Sequence, residues 1–160
     1  MLIGLISDTH GLVRPDVHRA LAGVELILHA GDVGGHEILD ELALIAPVQA
    51  VLGNTDSPFE LRLPLALELT LGGLRVHISH GHELGRPKPR QLADAYDADV
   101  IVYGHTHVQM IERVGNSVVI NPGAAGPRRF KLAPCVARLT IERGVAMAEL
   151  VPLVFATVAD

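Results

Sequence analysis

Tryptophan is absent from this 160-residue chain, and aromatic residues make up only 3 % of it, so a core must be built mainly from Leu, Val, Ile and Ala. Cysteine occurs once, at Cys135, which excludes an internal disulfide and a thiolate metal cluster. A lone cysteine fits a reducing cytoplasm, and a cytoplasmic location is the expectation. No block of Lys and Arg stands out, and the formal net charge is −5. That balance argues against extended nucleic acid as a partner and leaves a small or local phosphate ligand open. Long hydrophobic runs are missing too. The opening run MLIGLIS carries no basic leader and stops at Asp8, too short for a signal peptide or a membrane span. The stretch around 42–53 is broken by Pro47 and Gln49. The chain reads as soluble, with no membrane partner.

What is present is enough for a globular domain. Hydrophobic residues account for 49 % and charged residues for 19 %, which supplies a sizeable core and argues against disorder. No linker, low-complexity segment or internal repeat appears, so residues 1–160 are expected to form a single domain. Short apolar runs at 2–7, 25–30, 48–53, 74–79 and 99–104 read as buried strands. Residues 15–22 open with Pro15 at a plausible first helical position. Residues 35–46 place Ile38, Leu42 and Ile45 on one helical face. The first third is therefore β-α-β-α-β, which implies parallel strands. Further on, Gly72-Gly73, Gly115-Asn116 and Arg143-Gly144 mark hairpin turns, and 87–96 is a short helix. The sum is an α/β domain of two packed sheets with helices outside.

Specific polar residues sit at the end of each buried run: Asp8-Thr9-His10, Gly31-Asp32, Gly53-Asn54-Thr55-Asp56, His80-Gly81-His82 and Gly104-His105-Thr106-His107. In open α/β sheets, functional groups gather beyond the carboxyl ends of strands. The steps from Asp8 to Asp32, Asn54, His80 and His105 are 24, 22, 26 and 25 residues, about one supersecondary unit each. Five strand ends can thus supply one rim. Carboxylates, an amide oxygen and imidazoles without sulfur suit Mn²⁺, Fe or Zn²⁺ better than Ca²⁺ or Cu(I). The set is too large for one tetrahedral ion and matches two ions about 3.5–4 Å apart. Asp32, the only carboxylate at its strand end, is the natural bridge. Each piece alone has a plainer reading: Gly-Asp is usually a turn or cap, and Asn54 a turn residue. Their ordered occurrence favours a site. His18 and His36, in helical segments, read as solvated, whereas His29 and His77 read as core or sheet-face residues.

The ordered set D-x-H, G-D, G-N-x-D, H-G-H and G-H-T-H resembles the calcineurin-like metallophosphoesterases. The short length, the Thr106 of GHTH and the following Asn121-Pro122-Gly123 resemble their small bacterial and archaeal phosphodiesterase branch. The resemblance spans residue 1 to about 130. It implies a four-layer α-β-β-α sandwich of two mixed β-sheets. It also implies a dimetal centre, with Asp8, His10, Asp32 and His107 on one ion and Asp32, Asn54, His80 and His105 on the other. Mn²⁺ is the first expectation, with Fe, Zn²⁺, Ni²⁺ and Co²⁺ as alternatives. Larger members carry a leaving-group His where this chain has Thr55. Their equivalent of Asp56 orients that His, so Asp56 is read as a supporting residue that braces the turn.

The expected activity is hydrolysis of phosphodiesters, with some monoesters, by in-line attack of a hydroxide generated between the ions. His82 is the candidate acid or phosphate contact, with support of His80 as its alternative. Arg128 and Arg129, on a loop after NPGAAGP, read as solvated, with phosphate contact as the alternative. A small phosphodiester is the expected substrate. The rival reading is a protein-binding scaffold on the same fold, resembling the retromer subunit. The apolar tail at 145–159 is expected to enter the core over 145–153. Beyond that, with Phe155, it leaves a homo-oligomer open.

Overall fold

A computed structural model describes residues 1–129 and 131–153; the part of the tail beyond 153, including Phe155, lies outside the described residues. Two five-stranded sheets stack face to face. The first contains β1 (Leu2–Ile6), β2 (Leu26–His29), β3 (Val48–Ala50), β9 (Cys135–Glu142) and β10 (Val145–Pro152), in the order β10-β9-β1-β2-β3. The second contains β4 (Ala66–Leu71), β5 (Leu74–Ser79), β6 (Val100–Val102), β7 (Met110–Val114) and β8 (Ser117–Asn121), in the order β4-β5-β6-β8-β7. Strands β1, β2 and β3 are parallel, as the β-α-β-α-β pattern requires, and β9 and β10 add antiparallel pairs. In the second sheet β5, β6 and β8 are parallel, flanked by antiparallel β4 and β7. Both sheets are mixed, and the three expected hairpins all form.

The period-two alternation of each strand decides which residues fill which layer. Leu5, Leu28, Ile78, Val102, Ile120 and Leu139 point between the sheets and form the central core. Ile6 and Ile27 point outward and are covered by α1 (Pro15–Ala20) and α2 (His36–Ala43) through Val17, Ile38 and Leu42, with Leu21 just past α1. On the opposite side, Ile101, Tyr103 and Val119 are covered by Leu92 of α4 (Pro89–Ala95). The layers are therefore helix, sheet, sheet and helix. Ala146, Ala148 and Leu150 of β10 pack on the central core and Leu153 is buried, whereas Val145 and Met147 are exposed, so the core reading of 145–153 holds for one face of the strand.

Several boundaries are shorter than the apolar runs imply. The runs 48–53 and 99–104 form strands only over Val48–Ala50 and Val100–Val102. The residues that follow each strand, 51–53 and 103–104, stay buried but turn into the loops that carry the polar groups. The helix expected over 35–46 ends at Ala43, and Ile45 packs on the same cluster from beyond it. A one-turn helix, α3 (Pro58–Leu61), was not expected; Pro58 at its start and a Ser57 Oγ cap accepting from Glu60 N hold it. Among the described residues no helix is long and apolar enough to cross a membrane.

Candidate metal centre

The loops after β1, β2, β3, β5 and β6 converge on one rim shared by both sheets. Parallel pairing continues past the strands: Asp8 N donates to Gly31 O at 3.0 Å and His10 N to Asp32 O at 3.0 Å. In the second sheet, where β5 and β6 are neighbours, Gly104 N likewise donates to His80 O at 3.0 Å. The loop after β8 is tied in by Ala125 N to Ser7 O and Gly126 N to Asp8 O. Five of the predicted ligands, Asp8, His10, Asp32, His105 and His107, have positive φ between 45° and 66°. Left-handed backbone in non-glycine residues costs of order 1–3 kcal/mol each and gathers at functional sites. Two glycines permit the close packing of these loops. A Cβ at Gly53 would lie 2.1 Å from Asp32 Oδ1, and one at Gly104 would lie 2.0 Å from Ser7 Oγ.

The side chains then meet. Asp8 Oδ1 lies 3.1 Å from His107 Nε2, 3.7 Å from His10 Nε2 and 3.9 Å from His80 Nε2. Asp32 Oδ2 lies 3.2 Å from His80 Nε2 and 3.7 Å from His10 Nε2. Asp8, His10 and His107 form one group able to hold an ion; Asp8, Asp32 and His80 form another. His105 is not in either group, but its ring centre is 5.2 Å from that of His80. His105 and Asn54 line one cavity with Asp32 and His107. His82 is half-buried, its ring 5.4 Å from His80 and 6.2 Å from His105.

Each carboxylate is tied by one oxygen and presents the other. Asp8 Oδ2 accepts from Ser7 Oγ at 2.6 Å and from His105 N at 3.1 Å. Asp32 Oδ1 accepts from Thr55 N at 2.9 Å. His80 Nδ1 donates to Ala30 O at 2.7 Å, which turns its Nε2 toward Asp32 as the nitrogen that would bind an ion in the neutral ring. Asp8 Oδ1, His10 Nε2 and His80 Nε2 are buried with no hydrogen-bond partner. Unpaired buried polar atoms are costly, so three that converge fit a cation that would satisfy them.

Electrostatics agree with the geometry. Burial works to raise the Asp8 pKa, but the approach of His10 and His107, the charge of His80 and the Ser7 bond hold it well below the usual carboxylate range. Burial likewise opposes ionisation of Asp32, and its contact with His80 and the Thr55 bonds bring it down to about 2. Both are anionic at neutral pH. His80 is raised despite its burial, by Asp32 and Asp8. His105 is lowered by burial and by the charge of His80. Two carboxylates and several imidazoles without sulfur form a donor set for borderline or hard divalent ions.

Residues 1–144 match the family model for the calcineurin-like phosphoesterase superfamily domain. The chain belongs to this superfamily. It is 38 % identical over 148 residues to a protein of Methanothermobacter thermautotrophicus named as a probable metallophosphoesterase, covering 88 % of this chain and 81 % of that one. It is 30 % identical over 141 residues to a phosphodiesterase of Methanocaldococcus jannaschii, covering 77 % and 83 %. Among solved structures it is similar to wild-type Vps29 of Entamoeba histolytica complexed with Zn²⁺, with a TM-score of 0.77, 26 % identity, and 96 % and 99 % coverage. The two mixed sheets with outer helices are thus the metallophosphoesterase fold. The resemblance read from the motifs is borne out at the level of family and fold.

Further residues brace this candidate site. Asn121 Nδ2 donates to Gly104 O and Thr106 Oγ1, each at 3.0 Å, while its Oδ1 accepts from Gly123 N at 2.9 Å. Thr106 also accepts from Val108 N at 3.3 Å. Asn121 and Thr106 therefore clamp the loop that presents His105 and His107, which gives Thr106 a role. Asp56 accepts from Val33 N, Gly34 N and Gly53 N, locking the loops of Asp32 and Asn54 together. His29 is fully buried: its Nδ1 accepts from Gly31 N, and its Nε2 donates to Thr9 Oγ1, which donates to Val33 O. His77 is buried on the sheet face, between Glu68 and Ser79 and stacked on Tyr96. His36 is exposed, whereas half-buried His18 pairs with Glu41.

Proposed function

We propose that this superfamily member is a divalent-metal-dependent phosphodiesterase with two ions at the rim. Asp8, His10, Asp32 and His107 would hold one ion; Asp32, Asn54, His80 and His105 would hold the other. The observation that carries this is the convergence of the orphaned Asp8 Oδ1, His10 Nε2 and His80 Nε2. Bound divalent ions, Mn²⁺ first, supply Lewis acidity and bring the pKa of water toward neutrality. The rest falls to the chain. Asp8 and Asp32 provide fixed negative charge, pre-ordered by Ser7 and Thr55. Asp32 Oδ2, within reach of both His10 and His80, supports the bridging role. His82, beside His80 and His105, is the group proposed to contact the phosphate or protonate the leaving alkoxide. Asp56 supports by bracing. The buried, free Cys135 is in keeping with a reducing cytoplasm.

After chelation and Mn²⁺ add-back, the protein should hydrolyse bis-(p-nitrophenyl) phosphate faster than p-nitrophenyl phosphate. A monoester preference would overturn the diester assignment. His82→Ala should slow alkyl esters roughly 100-fold while slowing nitrophenyl esters far less, since nitrophenolate needs no proton. Equal losses on both would remove the acid role. A second reading, a protein-binding role on this fold, is favoured by the likeness to Vps29 and by exposed Val145 and Met147 on edge strand β10. Light scattering would show whether that strand makes a homo-oligomer.

A further inference from the structure

Arg86 and Arg129 stand far apart in sequence, one after the 3₁₀ turn at His82–Leu84 and the other beyond the Asn121-Pro122-Gly123 loop. Both line the cavity of about 200 Å³ that also holds Asp32, Asn54, His105 and His107. Both are exposed, and neither forms an ion pair among the described residues. Elsewhere Arg19, Arg75 and Arg90 are held by Asp16, Asp97 and Asp94. In a chain of net charge −5, two uncommitted guanidiniums that face one small cavity call for an anion.

The charge balance indicates which anion. Under the two-ion reading, on which this step rests, the charge of the ions is met by Asp8, Asp32, one hydroxide and the single negative charge of a diester. The two guanidiniums are then in excess. A simple diester offers them only phosphoryl oxygens already turned toward the ions. A second phosphate does, because its oxygens match the planar guanidinium fork in bidentate fashion. We infer that Arg86 and Arg129 form a second anion subsite. The preferred substrate is a phosphodiester that carries a further phosphate group beside the scissile one.

The test compares the p-nitrophenyl ester of thymidine 5′-phosphate with the same ester bearing a 3′-phosphate. The wild-type protein with Mn²⁺ should favour the 3′-phosphorylated ester by about tenfold or more in kcat/KM. Arg86→Ala and Arg129→Ala should each cut that ratio, and the double variant should bring it near one. A wild-type ratio near one, or a ratio that survives the double substitution, overturns the subsite and leaves two solvated arginines. Calorimetry gives a readout independent of turnover. Thymidine 3′,5′-bisphosphate should bind more tightly than thymidine 5′-monophosphate, and the difference should vanish in the double variant; equal affinities in the wild type count against the subsite. If no diester is hydrolysed, the phosphodiesterase reading fails, while the binding comparison still decides the subsite.

Discussion

Asp8 is common to both ligand groups. Asp32 belongs to the second, with Oδ1 tied to Thr55 N and Oδ2 facing His80 and also His10 of the first. Asp32→Asn removes the charge and keeps the shape. It should lose most bound metal by elemental analysis and nearly all turnover; unchanged metal content would show that Asp32 does not bridge. His29 makes a different prediction. Burial lowers its pKa from 6.5 to about 4, so it is neutral when folded, whereas the unfolded chain takes up a proton near pH 6.5. Its contribution is fully present above pH 6.5 and is lost as pH falls toward 4. Between pH 7 and pH 5 the loss is about 2 kcal/mol. Denaturant titration at the two pH values, with NMR titration of the ring, checks this; a ring that titrates near 6.5 contradicts it.

At the scale of elements, the site is a set of loops bolted together at the ends of parallel strands. Asn121 is one bolt, with two hydrogen bonds to the Gly104–His107 loop and a third accepted from Gly123 N. Asn121→Ala should cost about 1–3 kcal/mol and lower kcat more than KM changes, because the ligand-bearing loop loses its clamp. Equal activity with normal stability would mean that the loop holds itself. Gly104→Ala should be harsher, since the added Cβ meets Ser7 Oγ and lies 2.6 Å from Asp8 Oδ2. These elements were partly legible in the sequence. Alternating or continuous apolar runs marked the strands, and Gly-rich pairs marked the hairpins. The polar group at the end of each run marked the rim, because chemistry concentrates where a parallel strand ends. Asn121's clamp was not legible, since a side chain that reaches across to another loop leaves no local pattern. Left-handed φ at Asp8, His10, Asp32, His105 and His107 was equally hidden, because tertiary packing and not residue type imposes it. Arg86 went unnoticed because its neighbours in the cavity come from distant loops.

For the whole molecule, a core between two sheets holds the rim rigid, and aromatic side chains contribute little to it. Ile78 is fully buried there, so Ile78→Ala should cost about 2–5 kcal/mol by denaturant unfolding. Little or no loss would mean that the inter-sheet core is more adaptable than its packing indicates. Ions that bind only the folded state should raise stability further, and chelator should lower Tm.

The central claim is a two-ion phosphodiesterase, and its most direct measurement is a Mn²⁺ titration of the stripped protein, with bound metal and bis-(p-nitrophenyl) phosphate turnover followed together. Two ions per chain, with activity rising as the second site fills, is the result expected. Saturation at one ion or none, or two bound ions with no turnover of the diester, would contradict it.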